Sequence, residues 1–177
     1  MRLSPQKSSC LEDMNSPLQL DAYAIESLLL ATNRDYTEQE TPRGKLDIRP
    51  RIIPGKKSKS RKKYQMVLQV SYLKDPEYPG ALPYNIRIKG RAFYSVDLDD
   101  MSAGDPRSLL VHNGPAILYG LLRAHVAQAT SLGLHGPLFL PVANLLAALE
   151  DWFDQVQVES SGRKGPATAA GIASSEV

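Results

Sequence analysis

The segment YNIRIKGRAFYSV, Tyr84 to Val96, alternates more cleanly than any other in the chain. Tyr84, Ile86, Ile88, Gly90, Ala92, Tyr94 and Val96 share one side; Asn85, Arg87, Lys89, Arg91 and Ser95 share the other, and only Phe93 breaks the polar side. Successive side chains of a strand point to opposite faces, so this is a strand with one dry face and one wet face. Upstream, YQMVLQVSYL repeats the pattern, with Tyr64, Met66, Leu68, Val70 and Tyr72 set against Gln65, Gln69 and Ser71. A sheet that is wet on one side is antiparallel, because parallel sheets are covered on both. Its dry face needs a cover.

The cover comes from GPAILYGLLRAHVAQATSLGLHGPLFLPVANLLAAL, Gly114 to Leu149, the densest apolar run of the chain. Ile117, Leu118, Leu121, Leu122, His125, Val126 and Ala129 recur at steps of one, three and four, which places them on one stripe of an amphipathic helix. Pro115 reads as a first-turn residue, and Gly133 and Gly136 as stop signals. The segment PLFLPVAN then leads into a second short helix, expected over Leu145 to Val156. Neither helix carries catalytic chemistry on its face.

Working outward, Leu18 to Asn33 fits either a helix or a strand by pattern alone. Arg34 to Gly44 reads as a connecting loop. KLDIRPRII alternates with Leu46 and Ile48 on one side, and Pro50 marks it as an edge strand or a bulge. GKKSKSRKK, Gly55 to Lys63, reads as an exposed hairpin connection, and KDPEYPGALP as a turn-rich link. Residues 1–17 are expected to form a disordered leader, 18–158 the folded domain and 159–177 a disordered tail.

The chain has 177 residues, 42% of them hydrophobic, which suits one domain with flexible ends. Its 21 basic and 19 acidic residues give +2. Lys56, Lys57, Lys59, Arg61, Lys62 and Lys63 supply more than that excess, so the remainder is mildly acidic. The single cysteine, Cys10, excludes an intramolecular disulfide and a multi-cysteine metal site and fits a reducing cytoplasm. No run reaches the roughly twenty apolar residues that span a bilayer, and the N-terminus lacks the apolar core of a secretion signal.

His112, His125 and His135 are too widely spaced for a metal-ligand motif. His125 on the apolar stripe reads as a packing residue, and Cys10 has no structured pocket to make it a nucleophile. There is no GxGxxG, P-loop or GxSxG. Asp97, Asp99, Asp100 and Asp105 lack EF-hand spacing and read as a solvated acidic turn. The expectation is a protein that is not an enzyme. The basic run has a nucleic-acid reading, since cation clusters release counterions from phosphates; a solvated loop is the plainer one, because no aromatic residue interleaves it. Arg87, Lys89 and Arg91 make the outer sheet face basic as well, so Lys56, Lys57, Arg87, Lys89 and Arg91 form a candidate face for an acidic partner.

The order of elements and the apolar run resemble the SecB family of cytosolic export chaperones. The residues that carry the resemblance are Pro115, Ile117, Leu118, Arg123, Ser131, Gly133, Leu138, Leu140 and Asn144, matching the family's proline, Ile-Leu pair, arginine, Ser-x-Gly helix end and leucine segment ending in Asn. LQLDAYAIESLLL, KLDI, YQMVLQV and the strand ending in GRAFYSV resemble its four strands in order, so the match runs roughly from Leu18 to Val156. The resemblance implies an α+β fold: a four-stranded antiparallel, Greek-key-like sheet with two C-terminal helices on one face. It implies a cytoplasmic homotetramer, a dimer of dimers, that takes part in protein export and translocation without nucleotide, metal or other cofactor. Such a protein holds unfolded clients, secretory preproteins among them, in apolar grooves; by position Leu46, Ile48, Leu145, Leu149, Trp152 and Phe153 are the client-binding candidates. The family's acidic positions for docking the SecA motor correspond here to Ser27, Ala31 and Ile86, none of them acidic, and its Phe-Pro-Tyr-Ala-Arg-Glu element reads Tyr119-Gly120-Leu121-Leu122-Arg123-Ala124. Relatives of the family serve as dedicated chaperones of toxin–antitoxin systems, the alternative role that these departures suggest.

Overall fold

The structure, a computed structural model of the chain, describes residues 16–38, 42–78, 80–99, 105–147 and 149. The expected leader and tail, and most of the expected second helix, lie outside the described residues. Four long strands, β1 (Leu18–Thr32), β2 (Gly44–Lys57), β3 (Arg61–Lys74) and β4 (Tyr84–Asp97), precede helix α1 (Pro106–Thr130). They form one antiparallel sheet in the order β1-β4-β3-β2. β2, β3 and β4 follow one another as hairpins, while β1 pairs with β4 and the chain then crosses to the far edge, a Greek key. That crossover follows the β3–β4 loop: Asn33 N–H donates to Pro83 O (2.8 Å), Thr37 N–H to Gly80 O (3.2 Å) and Arg43 N–H to Ala81 O (2.8 Å).

The alternation seen in β3 and β4 is the core. Tyr64, Met66, Leu68, Val70 and Tyr72 are buried with Tyr84, Ile86, Ile88, Ala92, Tyr94 and Val96, under Leu110, Leu118, Leu122 and Val126 of α1. β2 is an edge strand, the first of the two readings that Pro50 left open, and runs through both Pro50 and Pro54. It continues to Lys57, and β3 begins at Arg61, so the connection expected over Gly55 to Lys63 shrinks to a turn at 58–60. Lysines belong on such an edge, since their charge discourages another strand from adding to it.

Helix α1 begins earlier than its apolar stripe suggested. Asp105 caps it, its carboxylate accepting from Arg107 N–H at 3.1 Å, and Pro106 takes the first turn. Pro115 is therefore a buried interior residue, not a first-turn one, and cannot donate to the carbonyl of Val111. The adjacent turn is tied to the sheet instead, Tyr94 O–H donating to Gly114 O at 2.7 Å. The buried stripe runs Leu110, Gly114, Leu118, Leu122, Val126 and Thr130, in steps of four, with Pro115 and Tyr119 beside it. Ile117, at 39% exposure, is turned outward from the expected stripe, and Ala129 is exposed as well. The reason is close approach between backbones. A Cβ on Gly90 would lie 2.6 Å from Leu122 Cδ2, and one on Gly114 3.0 Å from Met66 Cε, so the two glycines select the side of α1 that meets the sheet.

Three tyrosines in this layer give a pH signature. Burial raises the phenol pKa of Tyr94 far above its ordinary 10.0, and raises those of Tyr72 and Tyr119 as well. A folded pKa above the unfolded one means that the unfolded chain loses these protons first. Their stabilisation is complete below pH 10.0 and is lost as pH climbs above it toward the folded values. Denaturant midpoints measured across pH 8 to 11 are expected to fall from about pH 10 upward, and the fall is expected to be shallower in Tyr94→Phe. A profile that is equally steep in that variant would refute the assignment.

Candidate functional site

After α1 the chain reverses and runs back along the helix in an extended form. Gly133 lies against Tyr84, where an added Cβ would sit 2.5 Å from the hydroxyl, and Gly136 makes the reversal with φ +73°. The Thr130 hydroxyl donates to Val126 O and accepts from Leu138 N–H, both at 2.8 Å. Arg123 Nε donates to Leu140 O (2.8 Å) and Tyr119 O–H to Pro141 O (2.7 Å). Contacts at 138, 140 and 141 therefore step back along the helix through Thr130, Arg123 and Tyr119. His135 locks the start of this return to the crossover: its N–H donates to the Tyr84 hydroxyl (2.8 Å), Nε2 lies 3.2 Å from Asn33 O, and its ring meets Tyr36 edge-on at 4.9 Å.

The returning segment alternates as a strand does, without a strand partner. Leu138 and Leu140 are buried, whereas Phe139 is 65% exposed and Val142 86%. Leu132 and Leu134, before the reversal, and Leu146, after the segment, are exposed as well. Among the described residues, 137–144 make no backbone–backbone hydrogen bond. Pro137 and Pro141 hold the backbone extended and donate nothing. The result is a strip of outward apolar side chains on an extended backbone, of which Leu138 N–H, Leu140 O and Pro141 O are taken by side chains of α1 and the remaining groups have no backbone partner among the described residues.

Leu46 and Ile48 lie on the inner face of β2, half-buried against the same core as Ala143 and Leu145. Leu46 pairs with Tyr72 across the sheet, while Tyr119 of α1 holds Pro141. Leu145 is half-buried and Leu149 is 1% exposed; Trp152 and Phe153 lie outside the described residues. Phe139 and Val142 were missed as candidates, although the alternation of Leu138, Phe139 and Leu140 is visible in the sequence.

The basic face divides. Lys89 Nζ lies 2.7 Å from Glu26, and Arg91 binds the same carboxylate and donates to Gln65 Oε1 at 2.8 Å. The hydrogen bonds from Lys89 and then Arg91 hold the Glu26 carboxyl below its usual range. Glu26 and Asp21 sit where β1 slips its register against β4, and such bulges re-aim side chains. Arg87 is exposed, but Lys57 lies in the row of Lys62 and Val96, nine residues away along β4 and so about 30 Å distant. Ser27 and Ala31 lie exposed, opposite Lys89 and Asn85. Ile86, placed on the exposed face by the resemblance, is fully buried with Tyr84 and Ile88, where its own alternation puts it.

The histidines do not converge. His125 Nε2 is 3.4 Å from the Tyr23 hydroxyl, and His112 Nδ1 is bound to Ser108 O within α1. Among the described residues no group of three or more His, Cys, Asp or Glu is placed to hold a metal ion, and no helix is long and apolar enough to cross a membrane.

No protein-family model and no curated protein matches the chain. Among solved structures it is similar to a protein of unknown function from Streptococcus agalactiae, with a TM-score of 0.47 and 14% identity over 71% of this chain and 97% of that one. It is also similar to a SecB-like chaperone of Mycobacterium tuberculosis in complex with an antitoxin peptide, with a TM-score of 0.45 and 14% identity over 72% of this chain and 88% of that one. The fold assignment rests on strand order and register in the chain itself.

Proposed function

We propose that the protein is a SecB-like chaperone of the cytoplasm, a binding protein and not an enzyme, which holds unfolded polypeptides in an extended form. The observation that carries the reading is the strip at 137–146: outward apolar side chains, Phe139 and Val142 foremost, on a backbone without ladder partners. Open peptide groups and an apolar line together suit an extended client, which gains main-chain hydrogen bonds from any sequence and apolar contacts from alternate side chains. The half-buried Leu46, Ile48 and Leu145 extend the surface toward the β2 edge. The chemistry needs no cofactor, and assembly into a dimer of dimers would multiply the strips available to one long client.

A dedicated client, such as the antitoxin of a toxin–antitoxin system, is favoured over export. Ser27 and Ala31 leave the outer face uncharged at the positions compared with the acidic SecA-docking residues, and Glu26 is neutralised by Lys89 and Arg91. In a light-scattering assay, a stoichiometric amount of the protein is expected to delay aggregation of a denatured model client without ATP. Unchanged scattering at several-fold excess would sink the reading.

A further inference from the structure

Where β2 turns into β3, six cations fall between 56 and 63: Lys56, Lys57, Lys59, Arg61, Lys62 and Lys63. Arg61 Nε lies 3.6 Å from Asp97, and the Lys62 ammonium is over the Tyr64 ring at 5.3 Å. Among the described residues Lys56, Lys57, Lys59 and Lys63 make no ion pair. Ser58 fixes the turn, its N–H donating to Arg61 O at 2.8 Å and its hydroxyl accepting from Arg61 N–H at 3.0 Å. The like charges are thus held together by the hairpin in spite of their repulsion.

The run contains no aromatic residue, but the fold brings one to it. Phe93 on β4 faces outward opposite Gln65, one step along the sheet from Lys63. Its ring is half-buried and borders a recess of about 390 Å³ lined by Lys56, Lys63, Gln65, Asp21 and Phe93, within the size range of small-ligand sites. On the β1 side Phe93 is paired with Ala22, whose methyl is too small to cover the ring. Asp21 sits at the β1 bulge and accepts from Ser95 Oγ through one carboxylate oxygen at 2.7 Å. Its other oxygen has no partner among the described residues.

We propose that this recess is a subsite for single-stranded nucleic acid, in which one base stacks on Phe93 while Lys56, Lys63 and the neighbouring lysines hold the flanking phosphates. A π-face beside cations that follow the backbone is the arrangement by which single strands are held without regard to sequence. Asp21 favours a base over an acidic side chain, because its second oxygen accepts from the exocyclic amino group of a base, whereas an ionised carboxylate has no proton to give it. An anionic membrane would use the lysines alone and leave the recess empty. The site is on the outer sheet face, away from the 137–146 strip, and does not depend on the chaperone reading.

The test is anisotropy of a fluorescent single-stranded RNA 12-mer with the full chain over a salt series. The double variant Lys56→Gln/Lys63→Gln is expected to reduce the log–log salt slope by about 1.4, at roughly 0.7 for each phosphate no longer neutralised. Phe93→Leu is expected to bind about tenfold more weakly with the slope unchanged, and Phe93→Tyr to restore binding. Ala22→Leu, at an exposed position beside the ring, tests the same stacking by covering the ring should Phe93→Leu fold poorly. Equal affinity of wild type and both ring-blocking variants would overturn the proposal, as would tighter binding of a poly-glutamate peptide or of vesicles containing anionic phospholipid.

Discussion

Phe139→Ser/Val142→Ser is expected to lose most of its hold on unfolded clients while melting within a few degrees of the wild type. Both side chains are largely exposed, 65% and 86%, so the fold gains little from them. A bound client would bury them, and complete burial of such a side chain is worth about 1.5–3 kcal/mol. Allowing for incomplete burial, the pair contributes about 3 kcal/mol, roughly a hundredfold in affinity. The neighbour between them supplies the contrast. Leu140 is fully buried, so Leu140→Ala is expected to cost about 2–5 kcal/mol of stability before any effect on clients is read. Titration of a labelled unfolded client, together with thermal melts, separates the two. Undiminished client affinity in the double serine variant would remove the strip from the binding surface.

A stability effect as large as that of Leu140→Ala is expected where α1 meets β4. Gly90 is buried opposite Leu122, whose Cδ2 would be 2.6 Å from an added Cβ. Gly90→Ala therefore overpacks the contact and is expected to cost about 1–3 kcal/mol, while Leu122→Ala opens a cavity worth about 2–5 kcal/mol. In the double variant the new methyl enters the space that the leucine vacates, so the combined loss is expected to fall below the sum by about 1 kcal/mol or more. Urea unfolding of the four proteins closes the cycle. Additive losses would show that Leu122 moves aside without strain and that Gly90 does not set the helix position.

Local periodicity carried much of the architecture. The two-residue period of β3 and β4 named their inner residues, and Pro50 narrowed β2 to an edge strand or a bulge, because each of these depends only on which way a side chain points or on a missing N–H. The N-terminal strand was less legible: Leu18 to Thr32 fits two periods, and pairing with β4 decided between them. At the candidate site the same alternation was present in Leu138, Phe139 and Leu140. Which of the three faced water depended on Tyr119, Arg123 and Thr130 drawing the segment along the helix.

Charge was the least legible property. Arg87, Lys89 and Arg91 look equivalent in sequence, yet Glu26 pairs with two of them from a bulge 63 and 65 residues earlier and leaves the third exposed. Phe93 reads as a lone irregularity until register sets it near Lys63. The sequence by itself determined an antiparallel sheet with one dry face and the apolar run that covers it, because the direction of each side chain follows from its nearest neighbours. Only the tertiary structure decided which side of the helix faces the sheet, which apolar residues stay outside, and which cations remain unpaired. Those outcomes depend on contacts between residues far apart in the chain, such as Gly90 with Leu122 or Glu26 with Arg91, and such contacts exist only once strand register and loop closure have brought the partners together.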